Sequence, residues 1–133
     1  MASSLVVLRT AVLLMLLLAL ITGLYVSHVT RLSTAAAAQS AAAAAVEAAT
    51  AAGWQCRSAP PAEAVVAASR AALGQIEHLA VQPVAVEVDA DACNLIVTVT
   101  TAPLDARVSA LKTTATACHS VTAPVALSVP GSC

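Results

Sequence analysis

Hydrophobic and polar positions divide the chain at about one quarter of its length. Between Arg9 and Arg31 lie 21 residues without a formal charge, counting His28 as neutral, and Val12–Ile21 is almost wholly Leu, Val, Met and Ala. At about 1.5 Å per residue, a helix of that length spans about 30 Å, the thickness of a bilayer's hydrocarbon core. The next stretch, Ala35–Ala52, keeps the helical signal but changes character: 13 of its 18 residues are Ala, and no Pro or Gly occurs before Gly53. Alanine has the highest helix propensity, so the helix is expected to run on beyond the membrane and to stop at Gly53. The pattern predicts a cytoplasmic head over 1–9, a transmembrane helix over 10–30, an Ala-rich extension of the same helix over 31–53, and a small exported α+β domain over 54–133.

Within that domain the periodicity changes twice. Pro60-Pro61 closes a loop, and Ala62–Leu79 reads as an amphipathic helix with Val65, Val66, Leu73, Ile76, Leu79 and Ala80 on one side and Glu63, Arg70, Gly74, Glu77 and His78 on the other. Ser69 sits among the apolar positions, where its hydroxyl can bond back to the preceding turn. His78 falls near the helix end, which suits a capping role. Beyond Pro83, Val84, Val86 and Val88 alternate with Ala85, Glu87 and Asp89, and Leu95, Val97 and Val99 alternate with Ile96, Thr98 and Thr100. The short link between the two runs predicts an antiparallel hairpin. A helical turn is expected around Leu104–Leu111, and further strands at Thr113–Ser120 and Val125–Val129. The fold class is α+β: a long N-terminal helix, one further helix and an antiparallel sheet, a pilin-like layout.

Composition sharpens this. There is no Phe, one Trp and one Tyr, so the domain's core is built from Val, Leu, Ile and Ala and needs staples. All four cysteines, Cys56, Cys93, Cys118 and Cys133, follow the apolar helix. An even count on one side of a membrane segment fits two disulfides in an oxidising compartment. With Arg9 before the apolar span, this places the N-terminus in the cytoplasm and residues 31–133 outside. Small residues at Ser33-Thr34-Ala35 could serve a signal peptidase, but the apolar run Ala11–Val26 exceeds a usual signal core and favours retention of the anchor.

Candidate chemistry is sparse. The chain has no Gly-rich phosphate loop, no nucleophile elbow and no His-Glu-x-x-His. The cysteines lack metal-site spacing, and Glu87, Asp89 and Asp91 lack the glycine and closing glutamate of a calcium loop. Net charge near zero and the scarcity of aromatics give no nucleic-acid footprint. We expect no enzyme activity, no cofactor, no metal site and no nucleic-acid partner. The expected partners are the membrane and other subunits meeting the N-terminal helix.

On a helical wheel Gln39, Ser40, Glu47 and Thr50 share one arc of about 100°. The rest, apart from Val46, is alanine, and this smooth face, represented by Ala38, Ala42 and Ala45, lets another backbone approach closely. It packs either on the chain's own sheet or on neighbouring copies. The cysteines allow three pairings. If Leu95–Thr100 pairs antiparallel with Thr113–Cys118, Cys93 and Cys118 fall at one edge of the sheet and Cys56 is left for Cys133. The other arrangement is Cys56–Cys93 with Cys118–Cys133.

The apolar helix running into Leu32-Ser33-Thr34-Ala35-Ala36-Ala37-Ala38-Gln39-Ser40-Ala41-Ala42-Ala43, then a helix, a β-hairpin and a strand near Thr114-Ala115-Thr116-Ala117, resembles the TadE-like pseudopilins of the tight-adherence (Tad/Flp) pilus system of bacteria. The resemblance implies a minor pilin or assembly factor held in the cytoplasmic membrane with its C-terminal domain outside. That family commonly carries a Glu near the start of the membrane helix. Here the first acidic residue is Glu47, so no functional residue is carried over. The reading from a different class is a secreted or anchored, disulfide-stapled binding domain with no pilus role.

Overall fold

The structure, a computed structural model, describes residues 2–56, 58–76, 79–91, 93–103 and 112–120. The chain divides into two compact units, Met1–Thr30 and Arg31–Cys133. Helix α1, Ala2–Ala51, contributes to both. The second unit adds helix α2 (Ala62–Gln75) and strands β1 (Leu79–Val81), β2 (Ala85–Asp89), β3 (Asn94–Pro103) and β4 (Thr113–Ser120). The fold is therefore α+β, with a long N-terminal helix, a second helix and an antiparallel sheet.

Strand β3 organises the sheet. It pairs antiparallel with β4 along one edge, from Asn94 opposite Ser120 to Thr101 opposite Thr113. Its other edge receives β2, with Ala85 opposite Thr98, and then β1, with Val81 opposite Thr101. The three residues 82–84 thus stand opposite two, Val99 and Thr100. This is a one-residue bulge in a single interrupted edge strand, with the Gln82 amide donating to the Thr100 carbonyl at 2.9 Å. Pro83, which has no N–H to offer a ladder, sits at the interruption.

Alternation along β3 sets its two faces. Leu95, Val97, Val99 and Thr101 are fully buried. The other face is rich in threonine: the hydroxyls of Thr98 and Thr116 approach to 3.4 Å and those of Thr100 and Thr114 to 3.2 Å across the β3–β4 ladder. An antiparallel sheet with one face in the core and one polar face is the arrangement that period-two alternation specifies.

The core joins the buried β3 residues to Ala37, Ala38, Ala41, Ala42, Ala45 and Ala49 of α1 and to Ala64, Ala68, Ala72 and Ile76 around α2. In α2 this departs from the sequence pattern. Val66 and Leu73, expected inside, are 55% and 58% exposed, and alanines at every fourth position turn inward instead. These alanines share one buried cluster with the alanines of α1. Ser69 does bond back, its hydroxyl donating to the Val65 carbonyl at 2.9 Å.

Helix α2 also stops short of the predicted Leu79. Ile76 is already extended (φ −132°, ψ 95°) one residue beyond Gln75, and Leu79–Val81 joins the ladder opposite Thr101–Pro103 as β1. Tertiary pairing overrides the amphipathic pattern there. The expected turn at Leu104–Leu111, the expected strand at Val125–Val129 and the capping role of His78 lie outside the described residues.

The end of α1 is closed by a Schellman motif. Gly53 takes φ +68°, its amide donates to the Thr50 carbonyl, and the Trp54 amide donates to the Ala49 carbonyl, both at 3.0 Å. A Cβ built on Gly53 would meet nothing within 4 Å, so a substitution there is penalised by backbone conformation alone. Gly53→Ala is expected to lower the stability of the α+β domain by about 1–2 kcal/mol without changing its disulfides. Urea unfolding followed by Trp54 fluorescence measures this.

Candidate membrane anchor and packing face

Residues Val6–Val29 of the first unit are exposed on every side of the helix, and large apolar side chains such as Leu13, Met15 and Leu24 are 65%, 73% and 65% accessible. Nothing within this unit covers them. This is the one helix among the described residues long and apolar enough to cross a membrane, and it fits a single-pass membrane protein. Its threonines suit lipid. The Thr10 hydroxyl reaches the Val6 and Val7 carbonyls at 3.1 and 2.9 Å, Thr22 reaches Leu18 at 2.8 Å, and Thr30 reaches Val26 at 2.8 Å. Hydroxyls bonded within their own helix add little cost to transfer into hydrocarbon.

In the second unit, α1 separates into two opposite faces. Ala38, Ala42 and Ala45 are 1%, 2% and 0% exposed, inside the chain's own core. The alanine face offered as a contact with neighbouring copies is thus filled by this chain's sheet and second helix. The outward stripe is Leu32, Ala36, Ala43, Glu47 and Thr50, with Gln39 and Ser40 half-buried beside it. At about 100° per residue these positions lie roughly opposite the buried arc.

One polar contact inside this packing escapes the periodicity. Thr34 and Thr101, both without solvent exposure, place their hydroxyl oxygens 2.8 Å apart, and the Thr101 hydroxyl also donates to the Thr113 carbonyl at 3.5 Å. The signal was present in two places. Thr101 continues the odd-numbered core positions of β3, and Thr34 lies on the same helical arc as Ala38, Ala41 and Ala45. Only together do they read as a pair.

The cysteines also depart from the favoured expectation. Cys56 and Cys93 form a disulfide, with Cα atoms 5.3 Å apart and a sequence separation of 37. The pairing Cys93–Cys118 fails because of register. Cys118 stands opposite Ile96, three residues along from Cys93 and on the face that does not carry Leu95. Cys93 instead occupies the β2–β3 turn with φ +55° and reaches Cys56, five residues past the end of α1. Cys118 is itself disulfide-bonded, which leaves no free cysteine among the described residues; Cys133 lies outside them. Beside this bridge the Trp54 ring N–H donates to the carbonyls of Ser58 and Ala59, both at 3.1 Å, holding the loop against the helix end.

Among the described residues no three His, Cys, Asp or Glu side chains gather as a metal site. Asp89 and Asp91 meet only through a local turn, the Asp91 amide donating to the Asp89 carboxylate at 3.1 Å. Searches of family models, of curated proteins and of solved structures find no match to this chain.

Two outcomes follow from this packing. Ala38→Leu and Ala42→Leu should each destabilise the α+β domain by about 1–3 kcal/mol through overpacking, whereas Ala43→Leu, on the exposed stripe, should stay within about 0.5 kcal/mol; urea titration compares the three. Non-reducing peptide mapping should yield a linked peptide pair containing Cys56 and Cys93. Removing that bridge by Cys56→Ser with Cys93→Ser should cost about 4 kcal/mol, the loop-closure value for 37 residues.

Proposed function

We propose that this chain is a membrane-anchored, pseudopilin-like structural subunit or assembly factor of a pilus or secretion apparatus. Residues 10–30 hold it in the cytoplasmic membrane, with the N-terminus in the cytoplasm and the α+β domain outside. The observation that carries the reading is the contrast along α1. Bare apolar surface over Val6–Val29 gives way to alanine packing that builds a small domain directly onto the following turns. A helix apolar on all sides needs lipid or other helices around it. Mounting a folded domain on the continuation of that helix couples whatever the membrane segment joins to whatever the domain meets. This layout is similar to that of the TadE-like pseudopilins. The cysteines support the orientation, since disulfides persist outside the cytoplasm.

The test combines fractionation, topology and neighbours. The protein should remain with membranes after alkaline washing, and its intact mass should include residues 10–30. A C-terminal alkaline phosphatase fusion should be active. A photo-crosslinker at Leu16 should capture pilin-like or secretion-apparatus subunits. A released product that lacks the apolar helix, or a membrane-bound protein whose helix captures lipid alone, would replace this reading with that of a binding domain without a pilus role.

A further inference from the structure

The outward face of α2 carries exposed apolar side chains. Besides Leu32, its Val66 and Leu73 are the strongly exposed large apolar side chains among the described residues of the second unit, at 55% and 58%. They share a stripe with exposed Ala62 and half-buried Ser69. The spacing 62, 66, 69, 73 runs four, three, four, the repeat that keeps one seam of a helix facing a partner helix. Shallow hollows flank the stripe, one lined by Ala62, Glu63, Val66, Ala67 and Arg70, the other by Ser69, Leu73, Pro83 and Val84.

Charge identifies the occupant. Glu63 and Arg70 are both exposed, lie seven residues apart along one border of the stripe, and have no ion-pair partner among the described residues. The opposite border is Val65 and Ala72, half-buried and buried in the chain's own core. In a parallel helix pair each charged border would meet the partner's Val65–Ala72 border, which is already occupied. In an antiparallel pair like borders meet. Glu63 then faces Arg70 of the other copy, Arg70 faces its Glu63, Val66 stands opposite Ser69, and Leu73 stands opposite Ala62. The stripe is self-complementary under a two-fold axis, as an isologous contact requires.

We infer that α2 is a self-association surface, pairing antiparallel with α2 of a second copy through Val66 and Leu73 and two reciprocal Glu63–Arg70 ion pairs. A single helix of 14 residues covers less than the roughly 1,000 Å² that a stable independent dimer needs. The contact is therefore weak in dilute solution and depends on the concentration that a shared membrane imposes. It goes beyond the proposed function and does not require it, since any anchored copy of this chain presents the same face.

The experiment uses the full-length protein in membranes, with a benzoylphenylalanine crosslinker at position 62. The expected result is a homodimer adduct mapping to residues 66–75 of the other copy. Glu63→Arg or Arg70→Glu should reduce it at least fivefold by setting like charges opposite each other, and the two reversals combined should restore it. Retention of the Cys56–Cys93 peptide in each variant confirms folding. Adduct yields unchanged by either single reversal, a combined variant that stays as low as the singles, or an adduct to a different protein would each overturn the inference. The Leu16 crosslinks separate the two readings: if they persist while the α2 adduct is absent, only this inference fails, and the reverse result removes only the assembly role.

Discussion

Alanine packing of α1 and α2 against β3 is the constraint from which the rest of the small domain follows. Six alanines of α1 and three of α2 are buried together with Leu95, Val97 and Val99, joined by Thr34 of α1 and by Ile76 just beyond α2. Each alanine removes little apolar surface from water, about one methyl group's worth at roughly 0.8 kcal/mol. A core made this way is thin, and small domains of this kind lean on cross-links. A bridge closing 37 residues contributes about 4 kcal/mol in the chain-entropy view, a large share of the roughly 5–15 kcal/mol that domains usually have. The alanine packing and the cysteines are two sides of one solution.

Smooth packing has a second consequence. An alanine face fits its neighbour almost equally well after a slip of one helical turn, so it carries little information about register. The Thr34–Thr101 hydroxyl pair supplies that information, because sliding α1 would break this buried hydrogen bond, worth about 0.5–1.5 kcal/mol. The pair fixes where along β3 the helix sits.

Much of this was legible in the chain. The long helix and its stop at Gly53, the β2–β3 hairpin and the whole of β4 follow from charge-free length, a glycine and period-two alternation, all local signals. What was not legible depended on what lies opposite. Val66 and Leu73 looked like core because hydrophobicity was the only criterion available, yet Ala64, Ala68 and Ala72 are the buried residues of α2. Strand β1 was hidden inside a helical pattern because its ladder partners, Thr101–Pro103, lie far along the chain. The cysteine pairing turned on register: a strand position names its neighbours only once the opposite strand is aligned, and Cys118 falls beside Ile96 rather than Cys93. For the alanine face of α1 the sequence left open whether its partner is internal, and Ala38, Ala42 and Ala45 lie in the chain's own core.

The bulge at Gln82–Val84 bears on how such domains behave when crowded on a membrane. A straight outer strand exposes a regular row of amides and carbonyls, an invitation to indiscriminate sheet extension between molecules. Here that row is broken in the middle by an extra residue and by Pro83, which has no amide hydrogen, while Glu87 keeps a charge on the remaining outer segment. That edge then offers copies no continuous row of backbone donors and acceptors, while β4 forms the other outer edge of the described sheet. For a chain whose N-terminal helix fits a membrane anchor, breaking one edge limits how far sheets can extend between neighbouring molecules.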